Sequence, residues 1–282
     1  MRTRRVQQVL TGIDTQDGAG VRLRRALGAR QGERLDPLLM LDAFSSDDPA
    51  DYIAGFPAHP HRGFETVTYI LEGHMLHEDH LGNRGDLTAG GVQWMTAGRG
   101  IIHSEMPQQT NGRLRGFQLW LNLPAKDKLQ PARYRDIPAS EIPRTILAPG
   151  VTARVIAGDL LTPSGVVAGP IQVAATAPVY FDLDFTPGAR CVLPVPGTHN
   201  VLVHVFEGSL TVAGQTVEAG NSAVLSTGET IALEAETQAG RCLVVGGHPL
   251  GEPVVQYGPF VMNTRAEIEQ AMRDYQSGRL TA

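Results

Sequence analysis

Apolar residues along this chain fall mostly into short runs and alternations, cut by Gly, Pro, Asn and Asp. The segments Val21–Leu27, Thr66–Leu71, Val92–Thr96, Leu114–Leu123, Val151–Ile156, Val179–Phe185, Asn200–Phe206, Ala223–Leu225 and Arg241–Val245 are rich in Val, Ile, Leu, Tyr and Phe. Each is long enough for a strand and too short for an average helix, so the pattern predicts a mostly β protein. The exception is the C-terminus. Thr264 and Glu267 form a T-x-x-E capping box; Ile268, Ala271, Met272 and Tyr275 then make one apolar stripe at helical spacing.

The two halves echo one another. Glu72-Gly73, Ala89-Gly90 and Gly98 recur in the same order as Glu207-Gly208, Ala219-Gly220 and Gly228, and the last interval is 8 residues in both. A hydrophobic stretch precedes both Glu-Gly pairs (VTYIL and VHVF). Between Leu123 and Val151 the chain is polar and Pro-rich, as a connection would be. A duplicated antiparallel β-barrel follows, with units expected at 1–135 and 136–282 and the terminal helix attached to the second.

Composition narrows the function classes. With 32 Gly and 19 Pro in 282 residues the chain is rich in turn-formers, and 42% hydrophobic against 19% charged residues suits a packed core. A net charge of −5 argues against direct nucleic-acid binding or adsorption to an anionic membrane, both of which need a basic surface. Cys191 and Cys242 are too few for a disulfide scaffold; buried thiols are expected, with a single bridge left open. No apolar h-region follows the N-terminal arginines, and no stretch reaches the ~20 apolar residues of a membrane span. The expected compartment is the cytoplasm.

Candidate chemistry concentrates in two short segments. In His59-Pro60-His61 the imidazoles stand at i and i+2, so in extended chain both project to one face. His103-Ser104-Glu105 repeats that spacing with an imidazole and a carboxylate. If the two segments are neighbours in one barrel, three imidazoles and one carboxylate converge. This donor set suits Fe(II), Mn, Ni, Cu or Zn and leaves room for water, substrate or dioxygen. The second half offers a control: counted from the same landmarks, the equivalent positions are Pro194, Pro196, Leu233 and Ala235. None can bind a metal, so the metal is expected in the N-terminal barrel alone.

LDPLLMLDAF (35–44), FPAHPHRGFETVTYILEG (56–73), GGVQWMTAGRGIIHSEMP (90–107), GFQLWLNLP (116–124) and EPVVQYGPFVMNT (252–264) resemble the pirins, a branch of the cupin superfamily, over essentially the whole chain. The resemblance implies a bicupin fold of two antiparallel jelly-roll barrels face to face, with a mononuclear site, typically iron, in the N-terminal one. It puts the metal ligands on His59, His61, His103 and Glu105. It also departs from the generic cupin pattern, in which the Glu after HxH is a ligand; the matching Glu65 is given a supporting role.

The remaining candidates read as structural. His74, His77 and His80 suit a solvated hairpin beside Glu78, Asp79 and Asn83, and His199, His204 and His248 are isolated. Ser104 points away from its neighbours' face, and no G-x-S-x-G elbow exists. Gly98 and Gly100 shape a turn, and Arg99 is open to either a substrate anion or a surface carboxylate. Phe56, Trp94, Met95, Phe117 and Trp120 are candidates to line an aromatic pocket, though most would serve the core.

Two functions stay open on the resemblance. One is a quercetin 2,3-dioxygenase-like enzyme that opens a flavonol with O2 and releases carbon monoxide, with Glu105 as general base. The other is a metal- and redox-dependent regulatory protein acting through a protein partner, as a transcription cofactor or a binder of metabolic enzymes.

Overall fold

The computed structural model describes residues 2–282, which form 26 strands, three short 3-10 turns and one α-helix, Arg265–Gln276. The strands sort into two compact units. Each unit pairs a seven-stranded antiparallel sheet with a four-stranded one. In the first, the small sheet runs in the order Phe56–His61, Ile101–Pro107, His74–Asp79, Arg84–Thr88. Its core is filled from both sheets: Val21, Leu23, Phe44, Ile70 and Leu114 come from the large sheet, Met75 and Leu87 from the small one. In the second unit the small sheet runs Arg190–Pro194, Thr230–Glu234, Ser209–Val212, Gln215–Glu218. The same arrangement of strands therefore occurs twice, as the echoed Glu-Gly and Ala-Gly landmarks imply. No helix among the described residues is long and apolar enough to cross a membrane.

The units do not follow a single cut of the chain. The expected boundary at 135 falls close to the observed change at 139/140, but the chain ends are exchanged. Residues 2–13 and 26–38 belong with 140–249, and residues 250–282 belong with 14–25 and 39–139. The reason at the N-terminus is strand pairing: Val6–Thr11 lies antiparallel to Asn221–Leu225, with Val9 opposite Ala223. Arg4, only 1% exposed, donates to the backbone carbonyls of Ser226, Pro196 and His199. A short strand with a weak alternation takes its place from partners more than 200 residues away, which local pattern does not carry. The Pro-rich connection is also more ordered than its composition suggests. It supplies Arg133–Ile137 to the first unit's sheet and Arg144–Ala148 to the second's.

The C-terminal segment is pinned to the first unit by buried cations. Arg62 follows the HxH pair directly and donates to Asp274 (2.7 Å) and to the carbonyls of Leu280 and Arg99. The helix begins at Thr264, whose hydroxyl accepts from Glu267 N while Glu267 Oε2 accepts from Thr264 N, the expected capping box. Ile268 and Ala271 are buried with Phe260, Met262 and Leu280. Tyr275, the last member of the predicted stripe, stays 43% exposed. Gly63 lets the strand Phe260–Met262 lie against the chain just after His61: its φ is +90°, and a Cβ there would stand 2.0 Å from Val261 O.

Lys128 closes this corner. Its ammonium, 1% exposed, donates to Gly63 O, Asn122 Oδ1 and Val261 O. Burial lowers its pKa from 10.5 to about 8. The unfolded chain therefore holds this proton more tightly than the folded one, and stability should rise as pH climbs from about 8 toward 10.5. A Lys128→Met variant is expected to be less stable at every pH, because three acceptors lose their donor, and to lose this rise. Urea unfolding of both proteins at pH 7.5 and 10 measures it; the full effect is about 3 kcal/mol. Equal pH slopes would count against the assignment.

Candidate metal centre

Three neighbouring strands of the small sheet, Phe56–His61, Ile101–Pro107 and His74–Asp79, build the site. Ile101–Pro107 lies in the middle, with His103 opposite His59 on one side and Asp79 on the other. Its burial alternates strictly, with His103 and Glu105 in and Ser104 toward the other face. The pairing with Phe56–His61 carries an irregularity between His103 and Glu105, so Glu105 stands opposite Phe56. The i, i+2 spacing thus delivers the histidines to one place, and Ser104 is turned away as expected.

His59, His61 and His103 each present a ring nitrogen to the others, all within 4.8 Å. The ring centroids are 4.4–5.0 Å apart. His59 Nδ1 donates to Pro57 O at 2.8 Å, which leaves Nε2 bare. That atom lies 3.0 Å from His61 Nε2. His61 and His103 are buried, and burial, with the neighbouring imidazoles next, pushes both well below the ordinary histidine pKa. Both rings are therefore neutral near pH 7, the form that binds metals. His103 Nε2 is buried with no hydrogen-bond partner.

These observations fit a metal ion. Metal–nitrogen bonds of about 2.1 Å at a right angle separate the two donors by about 3.0 Å, which is the His59–His61 distance. A hydrogen bond between those two rings would satisfy one proton and still leave His103 Nε2 unpaired. A cation among the three nitrogens uses the bare lone pairs.

Glu105 is not in the cluster. Its side chain is buried and reaches across to the large sheet, where Thr68 Oγ1 donates to Oε1 (2.7 Å) and Gln118 Nε2 to Oε2 (2.8 Å). Trp120 Nε1 donates to Gln118 Oε1 and fixes the amide's orientation. Glu65 is likewise apart: Thr96 on the adjacent strand donates to it, and burial raises its pKa. Arg99 is exposed and serves through its backbone carbonyl, which accepts from Arg62.

A cavity of about 630 Å³ opens onto His59 and His61. Its walls include Phe44, Phe56, Trp120, Met40 and Leu23, with Gln118 beside them. Of the residues expected there, Phe56 and Trp120 line it, whereas Trp94, Met95 and Phe117 are buried elsewhere in the core. Arg25, also in the wall, is held bidentately by Asp42 at 2.8 Å and by Asp17 at 3.0 Å. That wall is polar, with its cation already paired.

Sequence reasoning passed over two residues. His77 and Asp79 were grouped with a solvated hairpin, which describes His74, beside the exposed Asp86, and His80. The side chains of His77 and Asp79 are instead 0% exposed, and His77 Nδ1 lies 3.3 Å from His103 Nδ1. The available signal was a third i, i+2 pair, H-x-D, matching H-x-H and H-x-E.

The second unit corrects the register of the expected comparison. Its strands pair Leu233 with Cys191 and Ile231 with Leu193. The counterparts of His59 and His61 are therefore Cys191 and Leu193, not Pro194 and Pro196, because the loop that follows is three residues longer. Cys191 lies in the apolar core, where burial pushes its thiol up to about 12. Both cysteines are free and buried.

The Pirin family profile matches residues 20–121, and that of the Pirin C-terminal cupin domain matches 180–281. The chain belongs to the pirin family. It is 55% identical to a Pseudomonas aeruginosa protein named "Putative quercetin 2,3-dioxygenase", over 99% of both chains. It is 39% identical to human pirin, over 93% of this chain and 89% of that one. A crystal structure of quercetin 2,3-dioxygenase from Acinetobacter baumannii superposes with a TM-score of 0.91 at 34% identity, covering 99% of both chains. This pirin is thus a bicupin whose N-terminal unit brings three histidines together.

Replacing His61 with Ala removes one of three converging donors. The purified variant is expected to lose its metal while retaining the wild-type circular dichroism spectrum. Elemental analysis of both proteins checks this, and equal metal content would exclude His61 as a ligand.

Proposed function

We propose that this pirin is a mononuclear dioxygenase of flavonols such as quercetin, with one Fe(II) per chain held by His59, His61 and His103 and with Glu105, held apart from the cluster by Thr68 and Gln118, as general base. The observation that carries the reading is the convergence of three imidazoles, two of them lining a cavity with aromatic and aliphatic walls. A flavonol is planar, largely apolar and edged with hydroxyls. Phe44, Phe56 and Trp120 line the space such a molecule would fill, and the imidazole end is where an oxygen donor would sit. The names of the Pseudomonas and Acinetobacter relatives support the same substrate class.

When bound, the metal would lower the pKa of a coordinated hydroxyl and hold dioxygen near the electron-rich ring. The chain's own part is positioning and proton handling. The apolar walls exclude water from the ring. Gln118 lies between the cavity and Glu105, holding the carboxylate with Thr68. As substrate enters, the Gln118 amide yields its bond and Glu105 takes the proton of the 3-hydroxyl as general base.

Anaerobic loading with Fe(II), followed by oxygen uptake and carbon monoxide measurement with quercetin, tests the proposal. One iron per chain with equal amounts of oxygen consumed and carbon monoxide released is expected. Stoichiometric iron without oxygen uptake would refute the flavonol reading. Glu105→Gln should lower kcat by about 10²–10⁴-fold, the usual contribution of a positioned general base; a loss confined to KM would count against that role.

A further inference from the structure

We propose that His77 and Asp79 are a positioning pair that holds His103 in the tautomer presenting Nε2 to His59 and His61. The inference rests on the metal reading of that cluster and extends it one layer outward.

The hydrogen bonds support one consistent placement of the protons. Asp79 Oδ1 accepts from the backbone N–H groups of Leu81 and Asn83, and Oδ2 accepts from Asn83 Nδ2 at 2.8 Å. Toward His77 Nε2, 3.3 Å away, it is again an acceptor, so His77 carries its proton on Nε2. His77 Nδ1 is then bare. With a single proton on His77, already placed on Nε2, the proton in the 3.3 Å contact between the two Nδ1 atoms belongs to His103. That leaves His103 Nε2 without a proton, and Nε2 is the buried atom with no partner. The ring of His77 cannot swing away, because Tyr134 stacks on it at 4.3 Å and 25°. Tyr134 is itself tied by its hydroxyl to Asp136 and Gln93.

The second unit shows that this sheet does not need the pair. There Val212 is opposite Leu233 as Asp79 is opposite His103, and one alternation back Leu210 stands where His77 does. Leu210, Val212 and Leu233 are all buried in an apolar core. The barrel without the imidazole cluster thus fills all three places with aliphatic side chains. The barrel with the cluster keeps two buried polar groups that contact nothing in the cavity. Their use is therefore sought at His103: a carboxylate or carbonyl behind a ligating histidine sets the bare nitrogen and aims the ring.

The test uses the full chain, Co(II) as probe, and the variants His77→Phe, His77→Asn and Asp79→Asn. His77→Phe keeps a ring for Tyr134 but offers no acceptor; it should weaken Co(II) binding about 10–100-fold. His77→Asn can place Oδ1 near the lost Nδ1 and should restore most of that affinity, a rescue that a merely space-filling role would not give. Asp79→Asn keeps the volume of the carboxylate and should weaken binding if His77→Phe fails to fold. The second readout needs no metal: imidazole nitrogen shifts in the metal-free protein should show His103 protonated on Nδ1 in the wild type, and no longer fixed there in His77→Phe or Asp79→Asn. Unchanged Co(II) affinity and an unchanged His103 tautomer in a folded variant would overturn the pair alone. No Co(II) uptake by the wild type would overturn the metal reading and the pair's purpose with it.

Discussion

The structure depends on keeping buried imidazoles neutral and still paired. A ring nitrogen in a dry interior must find a donor, an acceptor or a cation, and the options are few in a sheet whose backbone groups are already spent on the ladder. Three rings on Phe56–His61 and Ile101–Pro107 come within 4.8 Å of one another, too crowded for all their nitrogens to be satisfied among themselves. The surroundings respond to that shortage. Pro57 takes one proton, His77 engages a second nitrogen, and burial holds His61 and His103 in the form with a free lone pair. What remains is a set of unpaired nitrogens facing inward, a local conflict of the kind that folds tolerate where they bind something.

The same corner explains why the C-terminal segment belongs to this unit. Arg62 and Gly63 follow the HxH pair immediately. Arg62 reaches Asp274 and Leu280, and Gly63 admits Val261 at a distance no side chain would allow. Lys128 then ties Gly63, Asn122 and Val261 through one ammonium. The backbone of the ligand strand is thereby fixed from behind, so the end of the chain helps set where His61 stands.

Much of this was legible in the sequence, for physical reasons that differ by element. The H-x-H and H-x-E pairs were readable because period two is a property of any strand, and the capping box because it is local to four residues. The exchange of chain ends was not, since Val6–Thr11 is placed by Asn221–Leu225 and by three carbonyls that hold Arg4. His77 was misread because hydrophilic neighbours describe only one face of a strand. Glu78 is exposed while His77 and Asp79 bury their side chains beside it. The carboxylate of Glu105 faces inward as its spacing requires, yet the partners it meets there, Thr68 and Gln118, come from other strands that no local pattern links to it.

The two barrels of this pirin separate what the fold needs from what the site needs. Both close the same four-stranded sheet, one with Cys191, Leu193, Leu210, Val212 and Leu233, the other with His59, His61, His77, Asp79 and His103. Four aliphatic side chains and one buried thiol leave little polar surface to satisfy, so on packing grounds that set is the safer solution. The polar set is kept as a whole, from Asp79 through His77 and His103 to the ring nitrogens beside His59 and His61, and the other barrel lacks it as a whole. A chain of buried polar groups present in full or absent in full is what a shared ligand would impose. Any one member left alone in an apolar interior would cost stability and bind nothing.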